Sequence, residues 1–276
     1  MDPMTMHRLL PLLLIPLTAC FSSPDKDDTG QDTGPTGGDA TLEDVATEDT
    51  DGAPILDGQT VTVTGVATVS TGILSGRKLR IHIQDGAYGC ALDADEVVAA
   101  EIVSALGGIL EGDELEVTGL VTQEDLPSND EPGAHDGLTR IRIEDSTAVQ
   151  RLSSGNELPD PLLLSLDEIL ASGDEHEGVL VRVDAIHKHA DHQDVWVTSL
   201  DSSSIIDTYD DADTGPLKVR LGNGERTGGY GEDPGADSFD LVGLLREDST
   251  LSPTTDASGG SFEIWPRGER DILRSH

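Results

Sequence analysis

The feature that most constrains this chain is an alternation of apolar and polar residues with a period of two, which runs through one series of segments and then recurs. In residues 60–69, Val61, Val63, Gly65, Ala67 and Val69 fall on one face, and Thr60, Thr62, Thr64 and Thr68 fall on the other. Successive side chains of a strand point to opposite faces, so this pattern predicts a half-buried strand. Leu79-Arg80-Ile81-His82-Ile83 predicts a second strand, Asp85-Gly86 a hairpin turn, and residues 88–92 a short third strand. The period then changes. Residues 95–106 carry apolar side chains at helical spacing, with Asp95 placed to cap the first turn and Gly107-Gly108 to end the last. Strand pattern resumes at residues 115–119 and 139–143.

A second series follows. Gly178-Val179-Leu180-Val181-Arg182-Val183 answers Gly58-Gln59-Thr60-Val61, and Val195-Trp196-Val197 answers Ile81-His82-Ile83. Asp240-Leu241-Val242-Gly243-Leu244 answers Glu116-Val117-Thr118-Gly119-Leu120, and Phe262-Glu263-Ile264 answers Ile141-Arg142-Ile143. The offsets are all roughly 115 to 125 residues, as a duplicated domain requires. Leu158-Pro159-Asp160-Pro161 forms a stiff extended joint between the copies. Ser165-Leu166-Asp167-Glu168 reads as a capping box opening a short helix. The second copy shows no helix between its strands, and its stretch 207–237 is rich in Gly and Asp. The expected boundaries are 54–155 for the first domain and 156–276 for the second, linker helix included.

Three strands, a helix and two strands is the order of the OB-fold, a small five-stranded barrel. The stretches GQTVTVTGVATV, LRIHIQDG, EGDELEVTGLVT, GLTRIRIEDSTAVQRL, GNELPDPLLLSLDEIL and EGVLVRVDAIH also resemble tandem OB-like domains of bacterial extracellular proteins. The resemblance spans about residues 54 to 274. It implies a mainly β protein with two tandem OB-like five-stranded barrels and a helix in the first.

Ahead of the barrels lies a targeting segment. His7 and Arg8 precede an apolar run over residues 9–17, shorter than the ~20 residues a membrane-crossing helix needs. That length suits the apolar core of a signal peptide. Leu17-Thr18-Ala19-Cys20 resembles the lipobox of bacterial lipoproteins. The resemblance implies removal of residues 1–19, a diacylglycerol group on the Cys20 sulfur, and acylation of the new amino terminus. Phe21 and Ser22 follow the cysteine where a retention signal would place Asp, which implies sorting to the outer membrane. Residues 20–53 are rich in Asp, Gly, Thr and Pro and are expected to form a disordered acidic tether. Asp25, Asp27, Asp28 and Asp32 lack the spacing and closing Glu of a calcium loop.

Charge narrows the partners. Lys and Arg number 17 against 54 Asp and Glu, a formal net charge of -37, and aromatic residues are only 3%. Single-strand binding needs a basic groove with aromatic platforms. Arg140, Arg142 and Arg220 are scattered along strand faces, so nucleic acid is not an expected partner. A membrane reached through lipid on Cys20, an envelope protein of basic character, a cationic ligand or a divalent cation fits better. With Cys20 lipidated, Cys90 has no partner in its own chain and is expected to be a small buried hydrophobe. His82, His135 and His176 are expected at the surface.

The densest ligand-like cluster is His187-Lys188-His189-Ala190-Asp191-His192. His187 and His189 share a strand face, with the parity of Val179, Val181, Val183 and Ala185, and His192 lies in the following turn. That set suits zinc, copper or nickel. Asp211-Ala212-Asp213-Thr214-Gly215 copies only part of a calcium loop. No hydrolase or phosphate-loop signature is present, and no residue pattern supports an enzyme. The sequence therefore predicts a lipid-anchored, non-enzymatic binding or assembly module, with metal binding through His187, His189 and His192 as one alternative and OB-fold nucleic-acid binding, disfavoured by the charge, as the other.

Overall fold

The computed structural model describes residues 38–50, 52–123, 137–189, 196, 204–221, 233–235, 237–247 and 262–274. The first unit runs β1 (Gly38–Asp39), α1 (Leu42–Ala46), β2 (Thr60–Ala67), β3 (Leu79–Asp85), β4 (Tyr88–Ala94), α2 (Glu96–Leu106), β5 (Glu114–Gln123), β6 (Thr139–Arg142) and β7 (Val149–Ser153). Strand β2 pairs with β3, β3 with β4, β6 with β5, and β5 returns to β2, all antiparallel. Strand β4 pairs with β6 in parallel and closes the ring. This circular order is that of an OB barrel. Along β2 the expected alternation holds: Val61 and Val63 are buried, and Thr64 is exposed. Asp95 accepts from the backbone N–H groups of Val97 and Val98 at the start of α2. Gly107, at φ 71°, ends that helix in the left-handed region where a side chain would be strained.

The second unit repeats the first. It runs β8 (Leu162–Leu163), α3 (Leu166–Ser172), β9 (Leu180–Lys188), β10 (Ser204–Tyr209), β11 (Leu217–Leu221), β12 (Phe239–Glu247), β13 (Phe262–Trp265) and β14 (Ile272–Arg274). Again four antiparallel pairs join β9 to β10, β10 to β11, β13 to β12 and β12 back to β9, and β11–β13 is the parallel pair. One glycine marks the duplication. A Cβ on Gly119 would lie 2.5 Å from Ile141 Cγ2, and a Cβ on Gly243 would collide with the same atom of Ile264. Both fourth strands thus need glycine where the fifth strand presses closest.

Both cores are mostly aliphatic, as the low aromatic content dictates. Leu79, Ile81, Ile83, Leu92 and Ile141 fill the first barrel. Val181, Val183, Val219, Leu241 and Ile264 fill the second, joined by Phe239 and Phe262.

The structure departs from the sequence reading in several places. The described part of the first unit already includes β1 and α1, ahead of the expected boundary at residue 54, so these residues belong to the fold and not to a tether. Strand β1 pairs in parallel with β2, and Leu42 and Val45 of α1 are buried in the barrel core. The same leading strand and capped helix recur as β8 and α3, so the repeated unit is longer than its barrel. The strand between β9 and β11 in the second barrel is β10, and residues 195 and 197 of the expected strand lie outside the described residues. Trp196 instead packs edge-on against Phe239, with ring centroids 6.0 Å apart. The counterpart of Ile264 in the first barrel is Ile141, not Ile143, because Leu92 pairs with Ile141 as Val219 pairs with Ile264.

Candidate functional site: the joint between the barrels

The outward face of β3 and β4 carries His82, Gln84, Gly89 and Ala91, and all four are buried. The second barrel covers them. The backbone N–H of Leu180 donates to Gln84 Oε1 at 2.9 Å, while Gln84 Nε2 donates to the Gly86 carbonyl at 2.8 Å. His82 Nδ1 donates to the Gly178 carbonyl at 3.2 Å. Gly89 and Gly178 bring the two backbones together: a Cβ on Gly89 would lie 2.6 Å from the Gly178 carbonyl oxygen. Leu180, Val242, Leu244 and Trp265 of the second barrel join the apolar cluster of the first. Farther along, Arg267 Nη1 donates to the Thr68 carbonyl at 3.0 Å, its guanidinium held by both carboxylate oxygens of Asp271. Arg270 pairs with Glu111 across the same seam.

His82 was expected at the surface, and the joint buries it completely. Burial, with help from the nearby Arg246 and Arg80 charges, pushes its pKa down to about 3, so it is neutral. Strands 2 and 3 are the face by which OB barrels take oligonucleotides and oligosaccharides. In the first barrel that face is occupied by the second barrel. Sequence periodicity put His82 and Gln84 on the outward face, but nothing local to β3 says that another domain lies against it.

Among the described residues, Arg80, Arg140, Arg142 and Arg220 are engaged with the protein's own carboxylates. Arg80 and Arg140 each lie 3.8 Å from Asp93, and Arg142 lies 2.6 Å from Glu144. Arg220 Nε donates to Glu263 Oε2 at 2.8 Å, and Trp265 Nε1 donates to Glu263 Oε1 at 2.5 Å. The Trp265 ring has Arg246 4.4 Å and Arg220 5.4 Å from its centroid. These groups hold the joint and the flanks of the strands, where a phosphate would have to displace a carboxylate already in place.

The histidine pair takes a different face from the one expected. Val181 and Val183 point into the second barrel, but Ala185 adopts φ 55° at a bulge where the register with β12 shifts. The extra residue inverts the parity. Ile186 and Lys188 then point inward, and His187 and His189 are only partly covered. Lys188 is fully buried, with Nζ 2.5 Å from Asp233 Oδ1 and 5.8 Å from the centre of the Trp196 ring. His189 sits beside Tyr209, ring centroids 5.2 Å apart. His192 lies outside the described residues, as do Cys20 and His135. Among the described residues no three His, Cys, Asp or Glu side chains gather as a metal site.

Cys90 is a free, buried thiol in the first core, and burial pushes its pKa up to about 12. It packs as a small hydrophobe, as expected.

The strand order and register define a protein of two tandem OB barrels. No family model matches the chain, and no curated protein matches it in sequence. Among solved structures it is similar to asparaginyl-tRNA synthetase from Pyrococcus horikoshii, at 19% identity and a TM-score of 0.29, over 40% of this chain and 23% of that one. It is also similar to aspartyl tRNA synthetase from Entamoeba histolytica, at 19% identity and a TM-score of 0.30, over 56% and 30% of the two chains. A deletion mutant of the single-stranded DNA binding protein from Thermus aquaticus matches at 10% identity and a TM-score of 0.22, over 79% and 94%. The aligned part spans under a third of either synthetase. Likeness at these TM-scores carries no argument about what this chain binds.

Proposed function

We propose that this chain is a lipid-anchored protein of the bacterial cell envelope, held to the outer membrane through Cys20. Its two barrels, joined as one body, serve as a non-enzymatic binding or assembly module for a cationic partner. The observation that carries the module reading is the joint itself. The strand face through which the first barrel would take a ligand holds the second barrel through His82, Gln84 and Gly89. A chain that uses one barrel to position another is built to present a composite surface. The formal net charge of -37 makes a basic protein or cationic ligand the favoured partner for that surface. The Leu17-Thr18-Ala19-Cys20 sequence supports the anchor.

Intact mass of protein extracted from membranes in detergent tests the anchor. The expected mass begins at residue 20, carries diacylglycerol and acyl groups, and loses them in Cys20→Ser. An unlipidated wild-type mass would overturn it. Nucleic-acid binding is the competing reading for an OB fold. It is opposed by the carboxylate partners of Arg140, Arg142 and Arg220. Anisotropy titrations with labelled single strands at low salt, where phosphate contacts are strongest, are expected to show no binding.

A further inference from the structure

Beside the joint, the two barrels leave a cleft of about 380 Å³. One wall is the segment after α1, with Glu48, and the β3–β4 turn, with Tyr88. The other wall is the 3-10 turn Gly173–His176, with Asp174, Glu175 and His176. No lysine or arginine lines it among the described residues. Each wall is fixed to its own barrel. Glu48 lies in an isolated bridge opposite Pro54, closed by hydrogen bonds from Asp49 N to the Ala53 carbonyl and from Ile55 N to the Thr47 carbonyl. The opposite turn is pinned where Gly173 abuts the Phe262 ring and where Gly178 N donates to the Leu245 carbonyl. Each wall is tied to its own barrel, so repulsion across the cleft bears on the joint.

We propose that this cleft makes the joint between the barrels proton-sensitive: protonated Glu48 leaves the walls together, and ionised Glu48 drives them apart. Glu48 is half-buried, and the loss of hydration, then the charges of Asp174 across the cleft and Asp49 beside it, push its pKa up to about 7. The sign follows. A raised carboxyl pKa contributes stability that is full below the ordinary value of 4.5 and is lost as the pH rises through 7. The other groups facing the cleft do not reverse this. Tyr88 donates its hydroxyl to Glu43 Oε1 at 3.0 Å, and that bond raises its pKa further from neutrality. Glu175 adds negative charge on the far wall. His176 lines the same far wall.

Trp265 is the reporter, because it packs into the first barrel's cluster from the second. Trp196→Phe leaves it as the sole tryptophan of the full chain. Acrylamide quenching is then followed from pH 5 to pH 9. The expected result is a rise in Trp265 accessibility with a midpoint near pH 7, lost when Glu48→Gln is added and moved to lower pH by Asp174→Asn. Flat accessibility, or the same rise in the Glu48→Gln background, overturns the proposal. If Trp196→Phe does not fold, small-angle scattering of the unsubstituted chain and of Glu48→Gln over the same range decides. An expansion above pH 7 confined to the chain with Glu48 is expected, and identical profiles overturn the proposal.

Discussion

His82 Nδ1 reaches the carbonyl of Gly178 at 3.2 Å, so a histidine of one barrel is hydrogen-bonded to the backbone of the other. Its Nε2 is buried with no hydrogen-bond partner among the described residues. Burial holds the ring neutral, with the pKa lowered from 6.5 to about 3. The stability from this depressed pKa is complete above 6.5 and is lost as the pH falls toward 3. Urea midpoints measured at pH 7, 5 and 4 are expected to fall less steeply for His82→Gln than for the parent. Parallel declines would mean that His82 does not report on the joint.

Gln84→Ala removes the acceptor of the Leu180 N–H while the backbones stay in contact. A buried donor left without an acceptor costs about 1–3 kcal/mol. Equilibrium unfolding should show that loss, and Gln84→Glu should recover part of it at low pH, where the protonated carboxyl still offers an acceptor oxygen.

Gly89→Val places a side chain where a Cβ alone would lie 2.6 Å from the Gly178 carbonyl oxygen. Overpacking of this kind costs about 1–3 kcal/mol. Scattering or hydrogen exchange should show the seam opened while the hairpin of β3 and β4 remains. An unchanged Leu180 N–H protection factor would contradict the close approach.

Cys90 should resist alkylation in the native protein at pH 8, because its thiol is buried and its pKa is raised to about 12. Maleimide labelling is expected only after unfolding. Rapid labelling of the native chain would place the thiol elsewhere.

Barrel strands with strict alternation were legible in the sequence because each has one wet face and one dry face. Val61 and Val63 against Thr64 announce β2 without any knowledge of the rest. Asp95 and Gly107 announced α2 for the equally local reason that helix ends need caps. Segment 38–46 was hidden by its acidic neighbours, although Thr41 and Asp44 form a capping box that marks a helix start. The Ala185 bulge was illegible, since one extra residue leaves the composition of β9 unchanged while turning His187 outward and Lys188 inward. The joint was illegible for a different reason. His82 and Gln84 look like ordinary wet-face residues until a second barrel is set against them.

Cooperative unfolding tests the joint most directly. Cys90 lies in the first barrel's core and Trp196 in the second's, while Trp265 of β13 packs into the first barrel's cluster, so Trp265→Phe leaves Trp196 as the probe of the second barrel. Urea unfolding is followed on one sample by pulsed labelling of Cys90 and by tryptophan fluorescence. If the barrels are one body, the two probes give the same midpoint, and Gln84→Ala lowers both together. Two separated transitions, with Gln84→Ala moving neither, would show that the barrels fold apart and that the joint does not bind them.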